Sequence, residues 1–285
     1  MHNFPNARLN RLFHPSGNCL NVAIDHGVFN ERSFLAGLED MTRVVAELVD
    51  AGPDALQMNY GQAELLQSIA GKSKPALVMR LDAGNPYSAH LPTVPFDILV
   101  RADDPVLPAV QIDAACVVCN LLLFPGDPDL HRQTVANVGK ARAECDRYGM
   151  PLMVEPLVMK FDEARGAIQA DGNKNLIVPL VRQARELGAN VIKADPTDDP
   201  ADYHEVIQAA RCPVLVRGGG REPVETVFRK AYALLRQGAH GLVYGRNIYQ
   251  HPHPAGIVKA FLGMLHGGLN DEQALALYRK HEQAG

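Results

Sequence analysis

Short apolar runs recur along this chain, each ending on polar residues, with helically spaced segments between several of them. The runs are Cys19–Ile24, Ala55–Met58, Ala76–Met79, Ala115–Cys119, Pro151–Val154, Asn190–Ile192, Pro213–Val216 and Gly241–Tyr244, eight in all. Runs this short, bounded by turn residues, have the pattern of strands buried on both faces. Val44, Val45, Leu48 and Val49 mark one helical stretch, which stops at Gly52-Pro53. Leu180, Val181, Ala184 and Leu187 mark a second that stops at Gly188, and Val224–Leu235 forms a third that stops at Gly238. A glycine just past the last turn is a common helix stop. Gly-Ala-Asn at 188–190 and Gly-Ala-His at 238–240 then lead straight into the next run, as does Ala51-Gly52-Pro53-Asp54.

No low-complexity stretch or linker divides the chain. Eight strands alternating with helices in 285 residues predict a single-domain (β/α)8 TIM barrel. A short N-terminal extension over about residues 1–17 and a C-terminal helix over about 270–282 complete the expected layout. The competing α/β architecture, a doubly wound open sheet, usually carries its Gly-rich turn after the first strand. Here the glycines follow the seventh run.

Composition narrows the function classes. Hydrophobic residues make up 47%, enough for a substantial core, and the net charge of −4 offers no basic field for nucleic acid. No apolar run approaches the roughly 18 residues of a membrane span, and the first residues lack the apolar core of a signal peptide. A cytoplasmic protein without nucleic-acid or membrane partners is expected. Five cysteines, mostly inside apolar runs, fit reduced thiols better than a disulfide framework. Cys116 and Cys119 form a lone C-x-x-C within a strand-like run, with no second pair for zinc, and read as buried structural thiols.

In a barrel of this kind the active site lies at the C-terminal ends of the strands. The eight ends read Asp25-His26-Gly27; Gln57, Asn59 and Tyr60; Arg80 and Asp82; Asn120; Glu155; Lys193 and Asp195; Arg217-Gly218-Gly219-Gly220; and Gly245-Arg246-Asn247. Strand ends that simply meet water would also be polar, and that accounts for Asp82. It accounts less well for Asp25, Glu155 and Lys193, each of which directly closes an apolar run.

Lys193 could snorkel out of the barrel mouth or pair with Asp195. Held away from water it becomes a nucleophile for carbonyl carbon. Bringing its pKa from about 10.4 to about 7 costs on the order of 4–5 kcal/mol, which burial beside a second cation such as Arg217 could supply. The resulting iminium is an electron sink beside which a C–C bond can break or form. Asp25 and Glu155 could divide the accompanying proton transfers. Asp25 could equally be a helix N-cap, and Glu155 an ion-pair partner of Lys193 or Arg80. Pairing with Lys193 would raise the lysine pKa, a conflict that a protonated Glu155 would avoid.

Gly218, Gly219 and Gly220, with Gly245 and Arg246 in the next unit, are candidates for holding a phosphate, with backbone N–H groups and an arginine converging on it. Plain turns are the simpler alternative. His26 reads as a structural hydrogen-bonding residue or a substrate contact, and Asn59 and Arg217 as further substrate contacts. His251 and His253, separated by proline, read as loop residues with no third ligand.

Several segments together resemble the archaeal-type class I fructose-bisphosphate aldolases and their relatives, which include tagatose-bisphosphate aldolases and thiolase- and transaldolase-like enzymes. These are Val22–Gly27, Val191-Ile192-Lys193, Val216–Gly220, and Gly238–Gly241 running through Gly245-Arg246-Asn247-Ile248-Tyr249-Gln250-His251, within a likeness from about residue 8 to about 265. The resemblance implies a barrel without metal or other cofactor. It also implies a Schiff-base lysine at Lys193, an acid/base aspartate at Asp25, and phosphate binding at Gly218, Gly219, Gly220, Gly245 and Arg246. Strand five departs from the fructose-bisphosphate pattern, because Glu155 stands where those enzymes place a tyrosine proton donor. Glu-Pro-Leu there looks more like the tagatose-bisphosphate branch. Arg80 is then a candidate for a second anion at the distal end of a substrate.

The expectation is a metal-independent lyase acting on a sugar phosphate, as a homo-oligomer with Asn270–Lys280 as a candidate interface helix. An acyl- or aldol-transferase using the same lysine, and a slow sugar-phosphate-binding regulatory protein, are the alternatives.

Overall fold

The computed structural model describes residues 6–71, 73–84, 87, 98–124, 126–162 and 167–284; the first five residues of the expected N-terminal extension lie outside that set. Eight parallel strands close into a ring. They are β1 (Cys19–Ala23), β2 (Ala55–Asn59), β3 (Ala76–Arg80), β4 (Cys116–Leu123), β5 (Leu152–Asp162), β6 (Val191–Ala194), β7 (Val214–Arg217) and β8 (Gly241–Tyr244). Each pairs with its chain neighbour, β8 pairs with β1, and the β4–β5 pairing completes the circuit. The expected TIM barrel is the observed fold. Among the described residues no helix is long and apolar enough to cross a membrane.

The three helices marked by periodicity form over Met41–Ala51, Lys174–Glu186 and Val224–Arg236. Gly52, Gly188 and Gly238 follow them with φ of 79°, 99° and 102°, a left-handed turn that glycine adopts without a Cβ clash. A fourth long helix, Pro128–Tyr148, has Asp127 as N-cap, accepting from the Leu130 N–H, and Pro128 in its first turn. Its buried stripe is Leu130, Thr134, Val138, Ala141 and Cys145. Thr, Ala and Cys at three of the five positions hide that stripe from a search for large apolar residues.

Alternation along each strand separates two cores. Leu20, Val22, Leu56, Leu77, Val117, Ile192 and Leu242 face outward and pack in one cluster with residues of the surrounding helices. Cys19, Ala23, Ala55, Val78, Cys116, Val118, Met153, Val191, Leu215 and Val243 face the axis, where Leu9, Leu12 and Phe13 join them. Cys116 and Cys119 fall in different clusters, on opposite faces of β4, and both thiols are buried.

Three strands run two or more residues past the predicted ends. β4 and β5 stay in register from Val117↔Leu152 to Leu123↔Val158, beyond the predicted ends at Cys119 and Val154. β5 then folds back antiparallel on Ala167–Ala170. Asn120 and Glu155 therefore lie inside strands rather than at their tips. Lys193 is likewise the third residue of β6, one before its end. A charged residue breaks an apolar run, but it does not break a ladder whose hydrogen bonds come from the backbone.

Gly241 pairs with Cys19 where β8 meets β1, at φ 142°, and a Cβ there would lie 1.9 Å from the Cys19 carbonyl oxygen. Gly241→Ala combines overpacking with backbone strain and should lower the unfolding free energy by about 3 kcal/mol, read from urea denaturation of both proteins.

Candidate active site

The side-chain period of two carries the inward-facing set upward from apolar to polar. Two residues after Ala23, Val78, Val118, Met153, Val191, Leu215 and Val243 come Asp25, Arg80, Asn120, Glu155, Lys193, Arg217 and Gly245. Asp25, Glu155 and Lys193 are 1%, 3% and 4% exposed. A ring of charge thus sits directly on an apolar plug.

Arg80 ties the ring together. Its Nε donates to Asp25 Oδ2, its Nη1 to Asp82 Oδ1 at 2.9 Å and its Nη2 to Glu155 Oε2 at 2.6 Å. Glu155 Oε2 also lies 3.0 Å from Lys193 Nζ, and its Oε1 accepts from Arg217 Nε at 3.0 Å. Arg217 Nη1 donates to Asp195 Oδ1 at 2.6 Å. Gln57 Nε2 donates to Asp25 Oδ2 at 2.6 Å, and Asn59 Nδ2 donates to the Asp25 backbone oxygen at 3.0 Å.

Two expectations change here. Asp82 is fully buried, taking Arg80 on one oxygen and the Asn120 N–H on the other at 2.6 Å, so it does not meet water. Arg80 has a carboxylate on each of its three nitrogens, so it organises the site rather than standing free for a distal anion.

Electrostatics follow from the geometry. Burial would raise the Glu155 pKa, but Lys193, Arg80 and Arg217 override it and hold the carboxyl at about 2. Glu155 is thus ionised, not the protonated group that the sequence suggested. Asp25 is driven below the usual carboxylate range, because Arg80 and then Lys193 outweigh its burial. Lys193 is pushed down by burial first; Glu155 pulls it back, while Arg80 and Arg217 add to the lowering. Arg80 is a larger influence here than the predicted Arg217. His26 falls to about 3, chiefly by burial, and is a neutral imidazole with Nδ1 3.7 Å from Asp25 Oδ1.

One small cavity of about 30 Å³ gathers Asp25, His26, Arg80, Glu155, Lys193, Arg217, Gly218, Gly245 and Arg246. Asn59 stands behind Asp25, outside this lining. Gly219 borders a neighbouring cavity on the far side of Arg217, and Gly220 lines neither. The Gly219 and Gly220 carbonyls accept from Arg246 Nη2 at 3.4 Å and Asn247 Nδ2 at 3.1 Å, which joins the two glycine loops. Gly245 is required where it is, since a Cβ would come within 2.4 Å of the His26 ring and 2.7 Å of the Ala23 oxygen.

An aromatic wall that the sequence did not reveal covers the cavity. Phe29 and Phe34 meet edge to face at 6.1 Å, and Tyr87 packs against them at 5.3 and 5.5 Å. Arg246 lies over the Phe34 ring at 4.6 Å, and Arg217 Nη2 donates to the Tyr87 hydroxyl at 3.0 Å. Leu122, Leu157 and Met159, from the long β4 and β5, pack in the same cluster as Phe29 and Phe34. Tyr87 follows β3 in the sequence, and only its place in a βα loop could have marked it. Among the described residues no group of three or more His, Cys, Asp and Glu side chains is placed to hold a metal ion.

A buried lysine near the barrel axis is thus flanked by carboxylates and two glycine loops. The DeoC/LacD family aldolase model matches residues 19–251, and the chain belongs to that family. It is 30% identical to an uncharacterized aldolase of Saccharolobus solfataricus, over 95% of this chain and 98% of that one. It is 26% identical to a 3-hydroxy-5-phosphonooxypentane-2,4-dione thiolase of Escherichia coli, over 97% of this chain and 87% of the other. Among solved structures, an archaeal fructose-1,6-bisphosphate aldolase whose catalytic lysine carries the carbinolamine intermediate superposes with TM-score 0.73 at 21% identity, covering 90% of this chain and 98% of that one.

Arg80→Met leaves Asp25, Asp82 and Glu155 buried without their shared cation, and should destabilise by about 3–5 kcal/mol at neutral pH in urea unfolding. In the wild type, Asp25 and Glu155 titrate below their ordinary values of 3.8 and 4.5. The stability they contribute is therefore complete above about pH 4.5 and drains away as pH falls toward 2. A midpoint in urea that stays flat from pH 5 to about 3 would contradict this.

Proposed function

We propose that the protein is a class I, metal-independent aldolase that makes or breaks a C–C bond in a phosphorylated ketose through an iminium on Lys193. The observation that carries this reading is Lys193 itself. Its amine is buried, its pKa is lowered, and it faces a cavity shared with Asp25 and Arg246. A lowered pKa raises the fraction of free amine near neutrality, the form that attacks a carbonyl.

Asp25 and Glu155 enter the reaction as carboxylates. Glu155 positions Nζ through its ion pair until substrate displaces it. Asp25, with Arg80 on one oxygen, takes the proton from the substrate hydroxyl whose C–C bond breaks. His26 is neutral and positioned for a substrate hydroxyl. The phosphate goes to Arg246 and Gly245, with Gly218, Gly219 and Gly220 beside them; a Cβ at Gly219 or Gly220 would meet nothing within 4 Å, so room for an anion lies in front of both.

A second reading, transfer of an acyl group to a thiol, is favoured by the thiolase names among relatives at 26% identity. Product analysis with and without coenzyme A separates the two.

Incubation with dihydroxyacetone phosphate and borohydride should leave a reduced adduct on Lys193, located by peptide mass spectrometry, and Lys193→Met should lose both adduct and turnover. The yield should climb as pH rises through the lowered lysine pKa and then level off. Asp25→Asn should keep the adduct but slow cleavage of a ketose phosphate by roughly 10²–10⁴-fold. An adduct on another lysine, or full turnover by Lys193→Met, would remove the basis for the proposal.

A further inference from the structure

The reaction proposed above needs a proton donor as well as bases, and the two carboxylates cannot supply it. Loss of water from the carbinolamine requires a proton on its hydroxyl, yet Asp25 and Glu155 are both held ionised. Arg80, Arg217 and Arg246 also line the cavity, but guanidinium groups do not give up protons in proteins. His26 is a neutral imidazole, a much weaker acid than a phenol. Tyr87 is the remaining cavity-lining side chain, among the described residues, with an acidic proton that is not already lost.

We propose that Tyr87 is the proton donor of this site: its hydroxyl oxygen accepts from Arg217 Nη2 at 3.0 Å, a bond that uses the oxygen and leaves the phenolic proton for the substrate side of the cavity. The inference rests on the aldolase reading and adds a catalytic group to it. The tyrosine comes from the loop after β3, whereas position 155 on β5 is occupied by a carboxylate fastened to three cations. The Phe29 and Phe34 rings hold the phenol from behind. Burial raises its pKa, against the pull of Arg217, so the proton is in place at neutral pH.

The step balances. The free amine of Lys193 bonds to the carbonyl carbon and, once a proton has moved from nitrogen to oxygen, a neutral carbinolamine stands in the site. Tyr87 gives its proton to the carbinolamine hydroxyl, the C–O bond breaks, and water leaves. The nitrogen lone pair closes the C=N bond. The products are an iminium cation, a phenolate and water, with no net change in charge. Arg217, already bonded to the oxygen, stabilises the phenolate. Hydrolysis of the final iminium runs the same transfers in reverse.

The test follows the Lys193 adduct over time in wild type and Tyr87→Phe, with dihydroxyacetone phosphate and cyanoborohydride, alongside calorimetric binding of the same compound. The variant should bind about as well but form the adduct roughly 10²–10⁴-fold more slowly. Adduct formation at the wild-type rate overturns the role of Tyr87 and leaves the aldolase reading standing. Loss of affinity in proportion to the loss of rate also overturns it, since Tyr87 would then only shape the cavity. No adduct in the wild type overturns the aldolase reading and Tyr87's part in it together.

Discussion

Burial of charge is the constraint on which this site depends. Asp25, Asp82, Glu155 and Asp195 are sealed into the barrel mouth with Arg80, Lys193 and Arg217, almost out of contact with water. Such charges are tolerated only when each is paired and hydrogen-bonded. Arg80 meets that demand by holding three carboxylates at once, and Glu155 by holding three cations. The pairing fixes the protonation states on which any chemistry here must build.

Lys193 illustrates how opposing influences are weighed. One ion pair at 3.0 Å would by itself keep its amine charged. Yet the same Glu155 is shared with two guanidinium groups, which repel the ammonium, and the apolar layer of Val191 and its neighbours excludes water beneath it. Desolvation and like charge together exceed the attraction of Glu155 and Asp25. The lysine is held in place by a partner whose influence has been divided among competitors.

Much of this was legible in the sequence because period and burial are local signals. Short apolar runs and glycine stops gave the barrel, and the polar residues that close those runs gave Asp25, Arg80, Glu155, Lys193 and Arg217. What the runs could not show was where strands end, because Asn120 and Glu155 interrupt hydrophobicity without interrupting the backbone ladder. Nor could they show protonation. Glu155 next to Val154 and Pro156 suggests a neutral acid, and only the three-dimensional arrival of Arg80 and Arg217 reverses that. The aromatic wall was hidden for a related reason: Phe29, Phe34 and Tyr87 lie in loops whose meeting place no periodicity encodes.

The prolongation of β4 and β5 beyond the rim has one more effect. Leu122, Leu157 and Met159 provide a shelf on one side of the mouth, and Phe29 and Phe34 lean onto it from the loop after β1, on the opposite side of the ring. Among the described residues the opening is therefore spanned by an apolar strut that carries the Arg246 guanidinium on its Phe34 ring.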